Sequence, residues 1–262
     1  MPFCFILAVW FFAATTQTPA VLGQKADEHA VERIAVPDVP DASGKRPELA
    51  EAAKKIVDQT NAFRKKEGRK LVATATKLTD TAKYFADHMA RNDEYGHRAD
   101  GNNPDERVKR HEYQFCLIAE NIAYAFDSRG FDVGPLADQF ATGWEKSPPH
   151  RENMLDPDVT ETGVAVARSE KTGYYYAVQL FARPKSEAIA FKVQNQSGEK
   201  VTYAIGDKTF DLTPRMTRTH TQCRPPELKF TWPGEKTATA KPVGGDVLVV
   251  TKDHAGFAVK KE

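Results

Sequence analysis

Hydrophobic residues recur at three- and four-residue steps along three stretches of this chain, which is the spacing of one helical face. The first stretch begins at Glu48, and Gly68 stands after it where a C-terminal cap is expected. The third runs from Val133 to Trp144, and Pro148-Pro149 stop it and can begin the next turn. The pattern predicts three amphipathic helices. The apolar faces of the first two comprise Leu49, Ala52, Ile56, Thr60 and Phe63, and then Leu78, Ala82, Phe85 and Met89.

Two strand-like segments follow the helical region, Thr162 to Ala167 and Tyr174 to Phe181. The turn sequence at residues 170–173 predicts that they pair as a hairpin. Apolar residues occupy both faces of the second segment, so both faces need cover. The sequence therefore predicts a central sheet with helices above and below it, in a region large enough to bury its own core.

From Ser186 onward the apolar positions alternate, which is the period of a half-buried strand. The two histidines of this stretch, His220 and His254, stand among polar neighbours and are predicted to be solvated on the surface. The pattern predicts a separate all-β domain over residues 186–262. Its alternating segments are Ile189-Phe191-Val193, Val201-Tyr203-Ile205, Phe210-Leu212, Leu228-Phe230-Trp232, Val247-Leu248-Val249-Val250 and Phe257-Ala258-Val259.

The N-terminus opens with an apolar run, Phe3 to Ala14, that is too short to span a bilayer. Small residues at Ala20 and Gly23 suit signal-peptidase cleavage, so residues 1–23 are predicted to be a signal peptide. No Lys or Arg precedes the run, so an uncleaved membrane anchor is the alternative. Both alternatives predict a secreted or cell-envelope protein. Residues 24–47 mix charges with prolines and are predicted to form an extended linker.

Charge and cysteine content narrow the class of partner and the compartment. The 37 basic and 36 acidic residues leave the chain near neutrality, which argues against a nucleic-acid partner. Cys116 and Cys223 remain once Cys4 leaves with the signal peptide, and an exported chain can oxidise such a pair. A disulfide would tie the two domains together, and two buried reduced thiols are the alternative.

Residues with useful chemistry concentrate between the second helical stretch and the hairpin. A histidine follows a glycine at Gly96-His97, a carboxylate stands at Glu120, and a second histidine follows two prolines at His150. Each of these residues alone is unspecific, because a loop histidine usually faces solvent. Trp144, in the third helical stretch, is likewise most simply a core residue. Their combined order is specific. The full series is Gly96-His97, Asp100-Gly101, Pro104, Arg107, Glu120-Asn121-Ile122-Ala123, Trp144, Ser147-Pro148, His150-Arg151, Asn153-Met154-Leu155, Thr160-Glu161-Thr162-Gly163-Val164 and Val178-Gln179-Leu180-Phe181.

This series resembles the CAP or SCP-like family of cysteine-rich secretory, venom-antigen and pathogenesis-related proteins, in the form found in bacterial exported members. The resemblance covers residues 48–185 and does not extend to the β-rich part of the chain. It implies an α-β-α sandwich. The fold class expected for the whole chain is therefore α+β, with a small all-β domain after the sandwich.

The resemblance also implies a metal-binding cleft, because many family members line a cleft with two histidines and two acidic residues. Carried over by motif, the histidines are His97 and His150 and the first carboxylate is Glu120. Eukaryotic members place the second acid at the position of Ser147, and Glu145 is the carboxylate that this chain offers beside it. Imidazole and carboxylate ligands suit zinc or another divalent cation. No organic cofactor is expected.

Three functions fit these residues, and whether the chain is an enzyme stays open. The leading hypothesis is an extracellular binding module for a lipid, glycan or protein, since the family fold serves several unrelated roles. A peptide or ester hydrolase is the alternative, in which a metal polarises water or Glu120 orients a histidine base. Ser147 lies near His150 but lacks a glycine elbow or an oxyanion turn. A structural envelope protein, in which His97, Glu120 and His150 only hold loops together, comes third.

Overall fold

The computed structural model describes residues 30–38, 44–232 and 236–262. The predicted signal peptide and residues 24–29 and 39–43 of the predicted linker lie outside the described residues. Within the described ranges, no helix is both long and apolar enough to cross a bilayer. The described chain forms a mixed helical and stranded domain followed by a domain of strands.

The N-terminal domain is an α-β-α sandwich, as the sequence predicted. In chain order its elements are the strand β1 (Glu32–Arg33), helix α1 (Leu49–Lys66), strand β2 (Ala73–Thr74), helix α2 (Thr76–Asn92), strand β3 (Glu94–Tyr95), helix α3 (Pro104–Arg110), strand β4 (Phe115–Ala125), helices α4 (Val133–Lys146) and α5 (Pro148–Leu155), and strands β5 (Glu161–Arg168) and β6 (Tyr175–Pro184). Four strands form the central sheet in the order β2-β5-β6-β4, and only the β2–β5 pair is parallel.

Two apolar cores lie on opposite faces of this sheet. Tyr175, Ala177 and Phe181 of β6 pack on the side of α1 and α4. Tyr176 and Val178, which alternate with them, pack on the side of α2. Each fully buried large apolar side chain contributes about 1.5–3 kcal/mol to the free energy of folding. The alternation along one strand is therefore what requires helices on both faces.

The three predicted helices are confirmed as α1, α2 and α4, and the predicted hairpin is confirmed as the antiparallel pair β5–β6. Strand β4 was not predicted, although it pairs with β6 along most of its length. The polar pair Glu120-Asn121 interrupts its apolar positions, so the strand lacks a readable hydrophobic period. This strand carries one of the predicted site residues.

Helix α2 packs unusually close to the sheet at Gly163 of β5. A Cβ atom at Gly163 would lie 2.3 Å from backbone atoms of Leu78 and Thr79. Any side chain there would push α2 away from the sheet, because a contact this short cannot be accommodated by backbone. Glycine at this position thus sets the spacing between α2 and the layer below it.

Residues 30–38 were predicted as part of a linker, and this prediction is wrong for the described portion. Strand β1 pairs antiparallel with β3, and Ile34 donates from its backbone N to Asp93 O at 2.7 Å. The Ile34 side chain is buried in the core beside α2. Gly96, at φ 150°, leaves room for this strand, because a Cβ atom there would lie 2.3 Å from Ala30 O. The N-terminal segment therefore holds the loop that leads into His97.

The C-terminal domain is a sandwich of two four-stranded sheets, which confirms the predicted all-β fold. A short 3₁₀ turn (Lys185–Glu187) joins it to the first domain. Its strands are β7 (Ile189–Asn195), β8 (Val201–Ile205), β9 (Lys208–Leu212), β10 (Thr217–Gln222), β11 (Leu228–Thr231), β12 (Thr237–Ala240), β13 (Val247–Asp253) and β14 (Gly256–Lys261). The sheets run in the orders β10-β7-β13-β14 and β12-β11-β8-β9, and their facing side chains form one apolar core.

A disulfide between Cys116 and Cys223 connects the two domains, which decides between the two alternatives left by the sequence. Cys116 sits at an irregularity in β4, where the register with β6 shifts between Phe115 and Leu117. A bulge of this kind re-aims one side chain out of the regular alternation. The register shift between β4 and β6 thus lies at Cys116, the residue that bonds β4 to the C-terminal domain.

The prediction for His220 is wrong, since this side chain is buried in the C-terminal core. Its ring stacks on Phe191 at a centroid distance of 5.2 Å, and its Nε2 is hydrogen-bonded to the Tyr203 hydroxyl at 2.7 Å. Burial lowers the pKa of His220 below its ordinary value, so the ring is neutral at neutral pH. His254 is exposed, as predicted.

Candidate functional site

The three residues that the motif singled out come from three different elements. His97 lies in the loop after β3, Glu120 lies in the middle of β4, and His150 lies in the first turn of α5. Asn121 and Asn153 tie the last two elements together. Asn121 Nδ2 donates to His150 O at 3.1 Å, and Asn153 Nδ2 donates to Asn121 Oδ1 at 2.9 Å. Helix α5 is therefore fixed against the strand that carries Glu120.

Arg107 of α3 organises the centre of the site. Its Nη2 donates to both Glu120 oxygens, at 2.8 and 2.7 Å, and its Nη1 donates to Asp100 Oδ1 at 2.8 Å. The three side chains are almost completely inaccessible to solvent. The guanidinium also lies over the Phe85 ring, 3.5 Å from its centroid. This is a buried ion network in which one guanidinium bridges two carboxylates.

Arg107 and Asp100 belong to the recognised series, but the sequence did not assign them a function. The signal that could have revealed them is the cap of α3. Asn103 and Glu106 form a capping box, which fixes where α3 begins. Once α3 begins at Pro104, Arg107 and Val108 share its buried side, and an arginine in a core requires buried acceptors such as a carboxylate.

His97 is the partly exposed member of the network. Its Nδ1 lies 2.8 Å from Glu120 Oε1, and its side chain is 33% exposed. A carboxylate oxygen that already accepts from Arg107 accepts here too, so His97 Nδ1 is the donor. His97 Nε2 is then the ring nitrogen that is not bonded to Glu120. Arg107 further holds the loop by donating from Nη2 to His97 O at 3.0 Å.

His150 is half-buried and stands beside Ser147, the N-cap residue of α5. Its Nδ1 lies 2.8 Å from Ser147 Oγ. Burial, and then the nearby His97, lower the pKa of His150 to about 4. The ring is therefore neutral at neutral pH. The structure brings His97, Glu120 and His150 into one region.

A comparison with known protein families finds a match to this part of the chain. Residues 57–181 match the family described as the cysteine-rich secretory protein family, CAP. This region is a CAP domain. The matched residues include the complete His97, Glu120 and His150 series and end before the C-terminal sandwich. A comparison with curated proteins found no match.

Several solved structures are similar to the CAP domain of this chain. An extracellular SCP-domain protein from Bacillus anthracis is 26% identical over 52% of this chain and 41% of its own, with a TM-score of 0.43. A cysteine-rich secretory protein from Staphylococcus aureus is 24% identical over 53% of this chain and 41% of its own, with a TM-score of 0.40. An outer surface protein from Borrelia burgdorferi is 21% identical over 54% of this chain and 99% of its own, with a TM-score of 0.47. The chain thus spans less than half the length of the first two.

The donor set of this CAP domain does not fit the zinc site that the resemblance implied. Among the residues that the structure describes, no group of three His, Cys, Asp or Glu side chains is placed to hold a metal ion. Both Glu120 oxygens are already hydrogen-bonded by Arg107, which leaves the carboxylate poorly available to a cation. Two imidazole Nε2 atoms, of His97 and His150, are the ring nitrogens left over.

Glu145, the predicted second acid, is oriented toward a different set of charges. The charged residues that act on its carboxylate are Lys66, Glu67, Lys146 and Arg151. Burial raises the pKa of Glu145 above its ordinary value. No hydrogen bond or ion pair joins Glu145 to His97, Glu120 or His150 among the described residues. The structure therefore unites three of the four predicted positions and leaves Glu145 outside.

Proposed function

We propose that this chain is an exported CAP-domain protein that acts as an extracellular binding module, with His97 and His150 at the contact surface. One observation carries the proposal: both oxygens of the Glu120 carboxylate are bound by Arg107, and one of them also by His97. A carboxylate held in this way is engaged by the protein's own donors. Its effect is to orient the His97 ring.

The chemistry of the two rings indicates a ligand rich in hydroxyl groups, and we propose a glycan. The His97 side chain is 33% exposed and its Nε2 is not bonded to Glu120, so a ligand hydroxyl can reach this nitrogen. The His150 ring is neutral at neutral pH, because burial lowers its pKa to about 4. A neutral His150 ring does not select for anionic lipids or phosphates. A sugar offers several hydroxyl donors without requiring charge.

Two features support export. The disulfide between Cys116 and Cys223 is a bond that persists in oxidising compartments. The apolar run between Phe3 and Ala14 has the length of a signal-peptide core, although it lies outside the described residues. Together they favour a secreted or envelope-facing chain.

A titration with short oligosaccharides tests the binding function. Mature protein would be titrated with maltotriose, cellotriose and chitotriose while the ring protons of His97 and His150 are followed by NMR. We expect one of the sugars to shift both rings, and His97→Phe to weaken binding at least tenfold, about 1.4 kcal/mol. His254→Phe, which changes an exposed ring in the other domain, is the matched control and should bind as wild type. Sugars that shift neither ring would reject the glycan proposal.

A hydrolase is the second candidate, because Ser147 Oγ and His150 Nδ1 lie 2.8 Å apart. This is the separation of a nucleophile and its base. The low pKa of His150, about 4, makes the ring a weak base at neutral pH, which disfavours turnover. Release of sugar or ester product that disappears in Ser147→Ala would support this candidate over simple binding.

A further inference from the structure

A cavity lies beside α5. It has a volume of about 640 Å³, and the residues that matter here are Arg69, Pro148, Glu152, Leu155, Pro157 and Arg224. Pro148, Glu152 and Leu155 are spaced three and four residues apart, so they share one face of α5. His150 points from the opposite face of the helix. His97, Glu120 and His150 are not among the lining residues, although Asn153, which donates to Asn121, is.

Both domains build this cavity. Arg224, which follows Cys223 in the C-terminal domain, donates to both Asp156 oxygens, at 2.9 and 2.7 Å, and to Asp158 at 2.7 Å. The same loop is held from inside the CAP domain by the fully buried Arg64, whose Nη1 donates to Asp156 O at 3.1 Å. One wall of the cavity is thus fixed by two arginines and a covalent bond, and the site is preformed.

Two opposite charges of the lining are not neutralised within the protein. Among the described residues, neither the Arg69 guanidinium nor the Glu152 carboxylate forms an ion pair. Arg151, which also borders the cavity, is paired with Glu67 at 2.9 Å. Arg224 is fully occupied by its two aspartates. The cavity therefore offers one free cation and one free anion, with apolar proline and leucine surfaces between them.

We propose that this inter-domain cavity binds a short peptide with a free C-terminal carboxylate. Arg69 would receive the carboxylate, Glu152 the ammonium group, and the surface of Leu155, Pro148 and Pro157 an aliphatic side chain. The lining contains no aromatic ring on which a sugar could stack. Its mixed charge suits neither a nucleic acid nor an anionic lipid surface. A zwitterionic peptide complements both charges and the apolar surface.

The test uses the full mature chain and three forms of one probe, the tripeptide Ala-Leu-Ala: with both termini free, with the N-terminus acetylated and with the C-terminus amidated. Binding would be followed by amide chemical shifts around α5. We expect the free peptide to bind at millimolar concentration or below, and amidation to weaken it about tenfold, as the loss of a charge-assisted hydrogen bond requires. Acetylation should also weaken it, because it removes the ammonium charge that Glu152 complements.

Variants assign the effect to the cavity. Arg69→Gln should abolish the difference between the free and amidated peptides, whereas Lys70→Gln removes the same charge from the next residue and should leave that difference unchanged. A Cys116→Ser, Cys223→Ser double variant should bind more weakly if its circular dichroism stays native, since Arg224 is released with the bond. Equal binding of free and amidated peptide to wild type would overturn the proposal, and so would a carboxylate effect that survives in Arg69→Gln. Because the His97 ring lies in a different site, sugar binding there can fail or succeed independently.

Discussion

The CAP domain and the C-terminal sandwich each hold a histidine in a polar cluster, but the clusters have opposite electrostatic characters. His97 contacts a buried network of ions, in which Arg107 bridges Glu120 and Asp100. His220 contacts a single neutral partner, Tyr203, and is otherwise surrounded by aromatic rings. Buried charges require each other, whereas a buried neutral pair can be replaced by apolar groups of similar shape. The comparison therefore predicts that the fold depends on the charged cluster around Arg107. It also predicts that the fold tolerates apolar side chains in place of His220 and Tyr203.

The largest effect is expected when the cation of the first cluster is removed. Arg107→Met keeps most of the apolar volume of the side chain but leaves two buried carboxylates without their cation. We expect a loss of about 3–5 kcal/mol in the free energy of unfolding, measured by urea denaturation. Arg107→Lys, which keeps the charge without the paired geometry, should lose less. An Arg107→Met variant as stable as wild type would mean that the network contributes nothing to the fold.

A smaller effect is expected from the neutral pair of the sandwich. His220→Ala removes a ring from the core and leaves the Tyr203 hydroxyl buried without its partner, which should cost about 1–3 kcal/mol of unfolding free energy. The double variant His220→Phe, Tyr203→Phe replaces both partners by apolar rings and should recover most of this loss. If the double variant is less stable than His220→Ala, the pair is not exchangeable and the distinction between the clusters fails.

The smallest effect is a dependence of stability on pH that both domains share. Burial lowers the pKa of His150 from 6.5 to about 4, and burial also lowers the pKa of His220. As the pH falls through this window, the unfolded chain takes up protons that the folded chain does not, so the free energy of unfolding decreases. Urea denaturation across the window should show this slope, and His150→Gln should flatten it. A slope unchanged in His150→Gln would assign the effect to other groups.

The helices, the hairpin and the all-β domain were predictable because their apolar positions follow a regular period. The positions of His97, Glu120 and His150 were predictable because they belong to an ordered motif. Strand β4 was missed because two polar residues interrupt its period at the site itself.

Other features depend on contacts that are distant in sequence. β1 pairs with β3, and Arg107 forms an ion pair with Glu120. In both cases the two segments are distant in sequence, and no local sequence pattern identifies them as partners. The burial of His220 was not predictable from β10 alone, because the residues on its face of the strand, Arg218 and Gln222, are polar as well.

The disulfide has a mechanical consequence. Cys116 and Cys223 are 107 residues apart in sequence, and Cys116 lies on the strand that carries Glu120. A pull on the C-terminus passes directly from Cys223 to β4, so the intervening segment, about 350 Å of chain if fully extended, bears no tension. A chain stretched between two attachments would not extend the segment between Cys116 and Cys223, which contains β5 and β6, until that single bond is reduced.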